Sequence, residues 1–357
     1  MKTRLCVLFG GESTEYEISL RSAASILEHL NPKRYDLTLV GITKDGRWYH
    51  YEGGIDRILK DGWYREGMDH VLIDYASKDG TLLIGKDGTY TKKPIDAVFP
   101  ILHGKNGEDG TVQGLFELSG VPYVGTGLLS SAVSMDKAYT KILFAHAGIP
   151  QANWVELNRD ESDLAAMVLK AESRLGYPMF VKPSNAGSSI GIGKAKDRAS
   201  LMEAINTAFS FDRRIIIEEF LTGHEVECAV MGVRNAARAT CAGEILAANE
   251  FYDYEAKYSD NVTSELVIPA DLPKGVQETI KRLAVRAFAA VDGRGLSRVD
   301  FFVDGDTVRI NEINTMPGFT SISMYPKLFM HTGMAYSEIL DALIDIALDN
   351  HEKRKRL

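Results

Sequence analysis

The periodicity of this chain changes partway along, and that change limits the folds open to it. At first, short apolar runs suited to buried strands alternate with helical spacing: RLCVLF, then GGESTEYEISLRSAASILEHL, then YDLTLVGIT, and later PIDAVFPILHG followed by TVQGLFELSG. Such alternation predicts a parallel α/β sheet. Ile18, Ala23 or Ser22, Ile26, Leu27 and Leu30 line one helical face, and Asn31-Pro32 stops that helix. Residues 44–93, rich in Gly, Asp and aromatic residues, look like a hairpin-bearing insertion. A new helix begins near Ser134-Met135-Asp136-Lys137 and ends at the Gly-x-Pro stop Gly148-Ile149-Pro150. After it the spacing predicts strands at 154–157, 179–182 and 214–220 and helices at 161–175 and 201–209, so that helices sit between antiparallel hairpins. From about Thr222 come the strands EVECAVMGV and CAGEIL, the polar, aromatic loop FYDYEAKYSDNVT, a helix over 277–291, a hairpin and a final amphipathic helix through Leu348. The expected architecture is α/β at the start and α+β after it, in three domains over 1–133, 134–221 and 222–357.

Charge and cysteine usage narrow the function classes. The formal net charge of -8 argues against a nucleic-acid partner, which calls for a basic face. The basic run Lys353-Arg354-Lys355-Arg356 follows a helical pattern, where cations suit a helix C-terminus. Cys6, Cys228 and Cys241 show no metal-ligand spacing and read as reduced, buried thiols of a cytoplasmic protein. Leu5 to Phe9 is too short for a signal-peptide core, and no stretch approaches a membrane span.

The hairpin RVDFFVDGDTVRINEINTMPGFTS carries charges inside two apolar runs. Asp304-Gly305-Asp306 marks the turn. With a three-residue turn, Val303 faces Thr307 and Asp300 faces Ile310, so Arg298, Asp300, Glu312 and Asn314 project from one face. A two-residue turn puts Asp300 opposite Asn311 and splits the set. A lone carboxylate on a strand is ordinarily a solvated position. Two carboxylates and an amide oxygen brought together instead suit a hard cation such as Mg²⁺ shared with phosphate.

Two further segments carry chemistry. Pro183 to Gly193 is a Gly/Ser loop directly after the strand MFVK, and its backbone amides could close on phosphate oxygens with Lys182 supplying a point charge. No helix follows at once, so it is not a Walker A loop. The buried strand Ile215-Ile216-Ile217 emerges into Glu218-Glu219-Phe220-Leu221, whose main chain could read an adenine edge.

Taken in order, Ser134 to Lys137, Val181 to Ser184 with Gly187 to Gly191, Ile217 to Glu219, Tyr252 to Tyr254 with Lys257-Tyr258, Ser297 to Asp300, and Asn311 to Thr315 with Pro317-Gly318 resemble the ATP-grasp superfamily. Gly10 to Glu15 and Leu102 to Gly110 narrow the resemblance to the D-alanine-D-alanine ligase family, over nearly the whole chain. The resemblance implies a cytoplasmic, homodimeric enzyme of peptidoglycan synthesis that holds ATP between two antiparallel sheets. Its substrates would be ATP and D-alanine, with no nucleic-acid or membrane partner.

It implies, residue by residue, that Lys137, Lys182 and Ser189 meet ATP phosphates, that Glu218, Glu219, Phe220 and Leu221 line the adenine pocket, and that Glu225 holds the ribose. Asn311 joins the nucleotide set and Lys257 reaches the γ-phosphate from a closing lid. Asp300, Glu312 and Asn314 would carry two Mg²⁺ or Mn²⁺. Arg298 and the Gly318 amide would hold an oxyanion, and Glu15 would pair with the first substrate's ammonium, with Ser188 and Tyr258 linked to it. His103 lies near that end, Ser323 near the second carboxylate, and Met324 beside the second substrate. Tyr258 argues against D-lactate and Met324 against D-serine as second substrate, while a catalytically silent sensor is disfavoured by the full metal set.

Overall fold

The computed structural model describes residues 1–160, 163–187, 190–246 and 265–356, so the loop FYDYEAKYSDNVT lies outside the described residues. The described strands form three sheets. In the first, β1 (Thr3–Gly10) pairs in parallel with β2 (Tyr35–Ile42) and with β7 (Ala97–Pro100). The run 44–93 does more than bear a hairpin. Its strands β3 (Trp48–Tyr51), β4 (His70–Ile73), β5 (Thr81–Lys86) and β6 (Thr89–Pro94) extend the sheet beyond β2 in antiparallel fashion. The expectation of a parallel sheet therefore holds only for β2-β1-β7.

β1 is buried on both faces, which explains its unbroken apolar run. Leu5, Val7 and Phe9 pack with Leu20, Ala23 and Ile26 of α1 (Tyr16–His29) and with Ile339, Leu343 and Ile344 of the last helix, α10 (Tyr336–Lys355). Cys6 and Leu8 pack with Val112 and Phe116 of α3 (Thr111–Ser119). The short α2 (Ile55–Leu59) lies against α1.

The second sheet has the order β10-β9-β11-β8, made of β8 (Trp154–Asn158), β9 (Met179–Pro183), β10 (Gly193–Ala195) and β11 (Arg214–Glu219). Val155, Leu157, Met179, Val181, Ile215 and Ile217 pack on α6 (Leu164–Glu172) and α7 (Arg198–Phe211). Caps explain two helix starts that spacing alone misplaced. Asp163 accepts from Ala166 N at 2.8 Å, starting α6 later than expected. Asp197 accepts from Ser200 N at 2.8 Å, starting α7 earlier.

The third sheet has the order β14-β13-β12-β15-β16: β12 (His224–Val233), β13 (Arg238–Leu246), β14 (Glu265–Val267), β15 (Arg294–Asp304) and β16 (Thr307–Asn314). Val226, Cys228, Val230, Val299, Phe301, Ile310 and Ile313 pack on α8 (Lys274–Ala290). Phe144 and Ile149, in and just after α5 (Lys137–His146), belong to the same core, as α4 (Leu128–Met135) leads into α5. The chain between β16 and α10 adds α9 (Met324–His331).

The hairpin that closes this sheet differs from the three-residue-turn reading. Asp304 pairs with Thr307, so the turn has two residues, Gly305 and Asp306. The polar set nonetheless stays together. The register shifts between Asp300 and Phe301, leaving Asn311 as an extra residue, so Asp300 faces Glu312 and Arg298 faces Asn314. A bulge turns one side chain out of alternation, and here it undoes the parity change made by the shorter turn. Its signature is in the strand: buried Val308, Ile310 and Ile313 are spaced by two and then three, with Asn311-Glu312 between.

All three cysteines are free thiols, Cys6 and Cys228 buried. Among the described residues, no helix is long and apolar enough to cross a membrane.

Candidate active site

Each of the last two sheets buries one face on helices, and the polar side chains of the site stand on the opposite face, which on the third sheet also packs Ala229, Met231, Ile245 and Leu296 against α9 and α10. On the third sheet, Glu227 of β12 faces Asp300 of β15, which faces Glu312 of β16, a row of three carboxylates across adjacent strands. Arg298 lies one step along the same face. Its Nε donates to Asp300 Oδ1 at 2.8 Å and its Nη2 to Asp300 Oδ2 at 2.6 Å, while Glu227 Oε2 lies 3.1 Å from Nε. Asn314 Nδ2 donates to Asp300 Oδ2 at 3.0 Å. Burial opposes the charge on Arg298, but Asp300, Glu227 and Glu312 outweigh it and hold its pKa well above the ordinary arginine value.

The second sheet answers with cations. Lys182 Nζ lies 2.6 Å from Glu218 Oε2, and Lys141 of α5 pairs with the other oxygen of Glu218. Burial works against the Glu218 carboxylate, yet the two ammonium groups pull its pKa down to about 2. Lys182 also donates to Asn311 Oδ1 at 3.4 Å, so the bulged residue of one sheet touches the lysine of the other. Burial disfavours the Lys182 charge, but Glu218, Glu312 and Glu225 raise its pKa. Lys182 is thus a permanent cation between two polar faces.

Lys137 is placed by its neighbour. Asp136 caps α5, accepting from Ala138 N and Tyr139 N, each at 3.1 Å, and also takes Ser184 Oγ at 2.7 Å, Asn185 Nδ2 at 3.0 Å and the Arg214 guanidinium. Lys137 N then donates to Ser184 O at 2.9 Å and Lys137 Nζ to Ala186 O at 2.5 Å. The helix start and the Gly/Ser loop are therefore one unit. Ser188 and Ser189, in that loop, and Lys257 and Tyr258 lie outside the described residues.

The first domain reaches this unit through Glu15, which is buried where α1 starts. A Cβ on Gly187 would stand 3.4 Å from Glu15 Oε2, so the loop passes beside it. A Cβ on Gly104, whose φ is +68°, would stand 2.5 Å from the same oxygen, which demands glycine twice over. His103 Nδ1 lies 2.9 Å from Met316 O and Nε2 lies 3.4 Å from Ser22 Oγ, while Glu108 Oε1 accepts from Met316 N at 3.0 Å. The peptide groups of Met316, two residues before Gly318, are thus gripped from the first domain. Gly318 in turn packs close to Ser323, whose Oγ would lie 2.8 Å from an added Cβ.

Burial, reinforced by Glu15, pushes the Glu108 carboxyl up to about 8 against the pull of two backbone amides. A raised folded pKa means that the folded protein binds the extra proton, so this contribution is complete below the unfolded value near 4.5 and is lost as pH rises through about 8. Wild type is therefore expected to lose thermal stability from pH 6 to 9, and Glu108→Gln, neutral throughout, to lose less. Parallel melting curves with equal slopes would contradict this.

Other expected residues divide. Glu218, Lys182, Asn311, Arg298, Asp300, Glu312 and Asn314 come together, with Glu225 near enough to act on Lys182. Glu219 directs its carboxylate elsewhere, taking Asn153 N at 2.9 Å and Asn153 Nδ2 at 3.1 Å. Phe220 stacks 5.7 Å from Phe180, with Lys194 Nζ 4.3 Å from its ring centre, and Leu221 follows it at the sheet's end. Met324 is not brought into the polar set. It is buried in the core with its Sδ against Gly243, 2.6 Å from an added Cβ, because α9 packs on β13. Residues not named as site candidates from the sequence are Glu227, Glu108, Ser22 and Lys141, although Ser22 falls on a predicted helix face and Glu108 within the Leu102 to Gly110 motif. Lys141 follows Lys137 by one helical turn and Glu227 follows Glu225 on one strand face, which are the signals that could have found them.

Known proteins resemble the chain over nearly its whole length. Residues 4–126 match the family model for the D-ala D-ala ligase N-terminus and residues 143–345 that for the C-terminus. The chain is 52% identical to the D-alanine--D-alanine ligase of Acetivibrio thermocellus, over 98% of this chain and 97% of that one. Among solved structures it resembles the VanG D-Ala:D-Ser ligase from Enterococcus faecalis, at TM-score 0.89 and 39% identity, covering 97% of this chain and 100% of that one. It also resembles the D-alanine-D-alanine ligase from Coxiella burnetii, at TM-score 0.85 and 34% identity, over 99% of this chain and 96% of that one. With both halves matched in order and a close relative aligned nearly end to end, the chain belongs to the D-alanine-D-alanine ligase family.

Proposed function

We propose that this enzyme joins two D-alanine molecules into D-alanyl-D-alanine with cleavage of ATP to ADP and phosphate, in the cytoplasm and as a homodimer, for peptidoglycan synthesis. The observation that carries the reading is the opposition of two polar sheet faces, Lys182 on one and Arg298, Asp300, Glu312 and Asn314 on the other, joined through Asn311. Residues 134–221 and 222–357 then hold ATP between them, and residues 1–133 bring Glu15 and His103 to the substrate. Exposed Leu118, Leu128 and Leu129 on the adjoining α3 and α4 supply an apolar surface for the dimer.

A carboxylate is a poor acyl donor, so the first D-alanine must attack the γ-phosphorus and become an acyl phosphate before an amine can displace phosphate. Lys137, Lys182, Ser189 and Lys257 offset phosphate charge, and the 218–221 segment and Glu225 seat the adenosine. Among the described residues, no group of three or more His, Cys, Asp or Glu gathers as a metal cage. Two carboxylates and an amide oxygen, Asp300, Glu312 and Asn314, still fit Mg²⁺, which takes few protein ligands and completes its shell with phosphate and water. Bound there, Mg²⁺ would neutralise charge on the transferring phosphoryl group. Glu15, with Ser188 and Tyr258, would hold the first substrate's ammonium and orient the second's amine. Ser323 would meet the second carboxylate. Arg298 and the Gly318 amide would hold the tetrahedral oxyanion, a site for which fixed donors are worth most.

With ATP, Mg²⁺ and D-alanine, one ADP and one phosphate are expected per dipeptide, and ADP release that ignores D-alanine would refute the reading. The likeness to a D-Ala:D-Ser ligase supports a second reading, D-serine in the second position. In a mixture of equal D-alanine and D-serine, D-alanyl-D-alanine is expected to dominate; a mainly mixed dipeptide would favour the second reading.

A further inference from the structure

We propose that Glu227 is a positioning residue for the ligase reaction, acting through Arg298, so this inference rests on the ligase reading above. Glu227 is only 4% exposed, yet a buried carboxylate costs several kcal/mol unless it is paired and hydrogen-bonded. The strand offers no packing reason for it. Val226, Cys228 and Val230 fill the core under α8, whereas Glu227 lies on the opposite face of β12, at the row where Asp300 and Glu312 stand. Its neighbour on that face, Ala229, sits directly across from Arg298 and is small enough for the long guanidinium to lean towards Glu227.

The geometry assigns its task. Asp300 takes the Nε and Nη2 atoms of Arg298 at 2.8 and 2.6 Å, and Glu227 Oε2 closes on Nε at 3.1 Å from the adjacent strand. The guanidinium is hydrogen-bonded on its Nε–Nη2 edge by Asp300 and ion-paired from the adjacent strand by Glu227, so two strands set its orientation. Asp300 alone is a weak anchor, because it is also placed to serve the phosphate end of the site and has Asn314 on its Oδ2. Glu227 stands on the far side of Asp300 from Glu312, one strand further from β16. It therefore keeps Arg298 aimed while Asp300 engages elsewhere, and contributes to kcat without meeting ATP or either amino acid.

A double-mutant cycle on the full-length enzyme tests this. Glu227→Gln keeps size and is expected to lower kcat for dipeptide formation on the order of tenfold, with the KM for ATP changed less than about twofold. Arg298→Lys should lower kcat by about 100-fold. If Glu227 works through Arg298, the double variant is slower than Arg298→Lys by no more than about twofold, whereas a purely structural role would make the losses multiply. Glu227→Asp, which keeps the charge, should retain more activity than Glu227→Gln, and it carries the cycle if the Gln variant does not fold. Multiplying losses, or a Gln variant as fast as wild type, would overturn the positioning role while leaving the ligase reading intact. A wild type that makes no dipeptide in the same assay would overturn both.

Discussion

Glu312→Gln is expected to reduce turnover by about 100-fold or more while leaving the fold intact. The side chain stands at the end of the row Glu227-Asp300-Glu312, where β16 is the edge strand of its sheet, so an amide of equal size disturbs no core packing. It does remove one of the two carboxylates in the proposed Mg²⁺ set. Charge stabilisation of a transferring phosphoryl group by a bound metal is worth several kcal/mol, and each 1.4 kcal/mol is roughly tenfold in rate. Steady-state ADP release measures the loss. Binding of Mn²⁺ in the presence of ADP, followed by electron paramagnetic resonance, supplies a readout apart from turnover and should weaken as well. Near wild-type rates with unchanged Mn²⁺ binding would remove Glu312 from the metal set.

Glu218→Gln should have the largest effect on stability. Glu218 is flanked by Lys182 Nζ at 2.6 Å and by Lys141, all three largely out of solvent. Neutralising the central carboxylate leaves two buried ammonium groups facing each other, and breaking such a pair from one side costs about 3–5 kcal/mol. In a protein of this size that corresponds to a fall in unfolding midpoint of roughly 4–7 °C. The pH dependence follows from the depressed pKa. Burial raises it, Lys141 and Lys182 lower it further, and the folded value is about 2 against an ordinary 4.5. The folded state therefore binds fewer protons than the unfolded chain, so this stabilisation is fully present above about 4.5 and is lost as pH falls towards 2. Wild type should approach the variant across that window. Equal midpoints at pH 7 would show that the trio contributes nothing net.

Outside residues 44–93, most of the order of elements is legible in the letters, as is the chemistry available. Strand and helix spacing locates β1, β2, β7, β8, β9, β11 and the hairpin of β15 and β16, because burial on one or two faces imposes a period that survives in the letters. Lys182, Asp300, Glu312 and Asn314 stand out in the letters as candidates for a phosphate and metal set, because polar groups placed where a strand should be apolar are costly unless they have work to do, whereas Lys137, on a helix, enters only through the family resemblance. Which of these groups meet is settled by register and packing. The two-residue turn and the bulge at Asn311 each change side-chain parity, and their cancellation is a property of register. The same is true of Glu225 and Glu227, equivalent in strand face and separated only by which row of β15 they stand against. Glu108 reaches Met316 across 208 positions, and the position of Met324 beside a serine gave no sign that α9 would turn its sulfur into the core at Gly243. Local spacing is written in neighbouring residues, whereas contact across sheets depends on how three independently formed layers settle against one another.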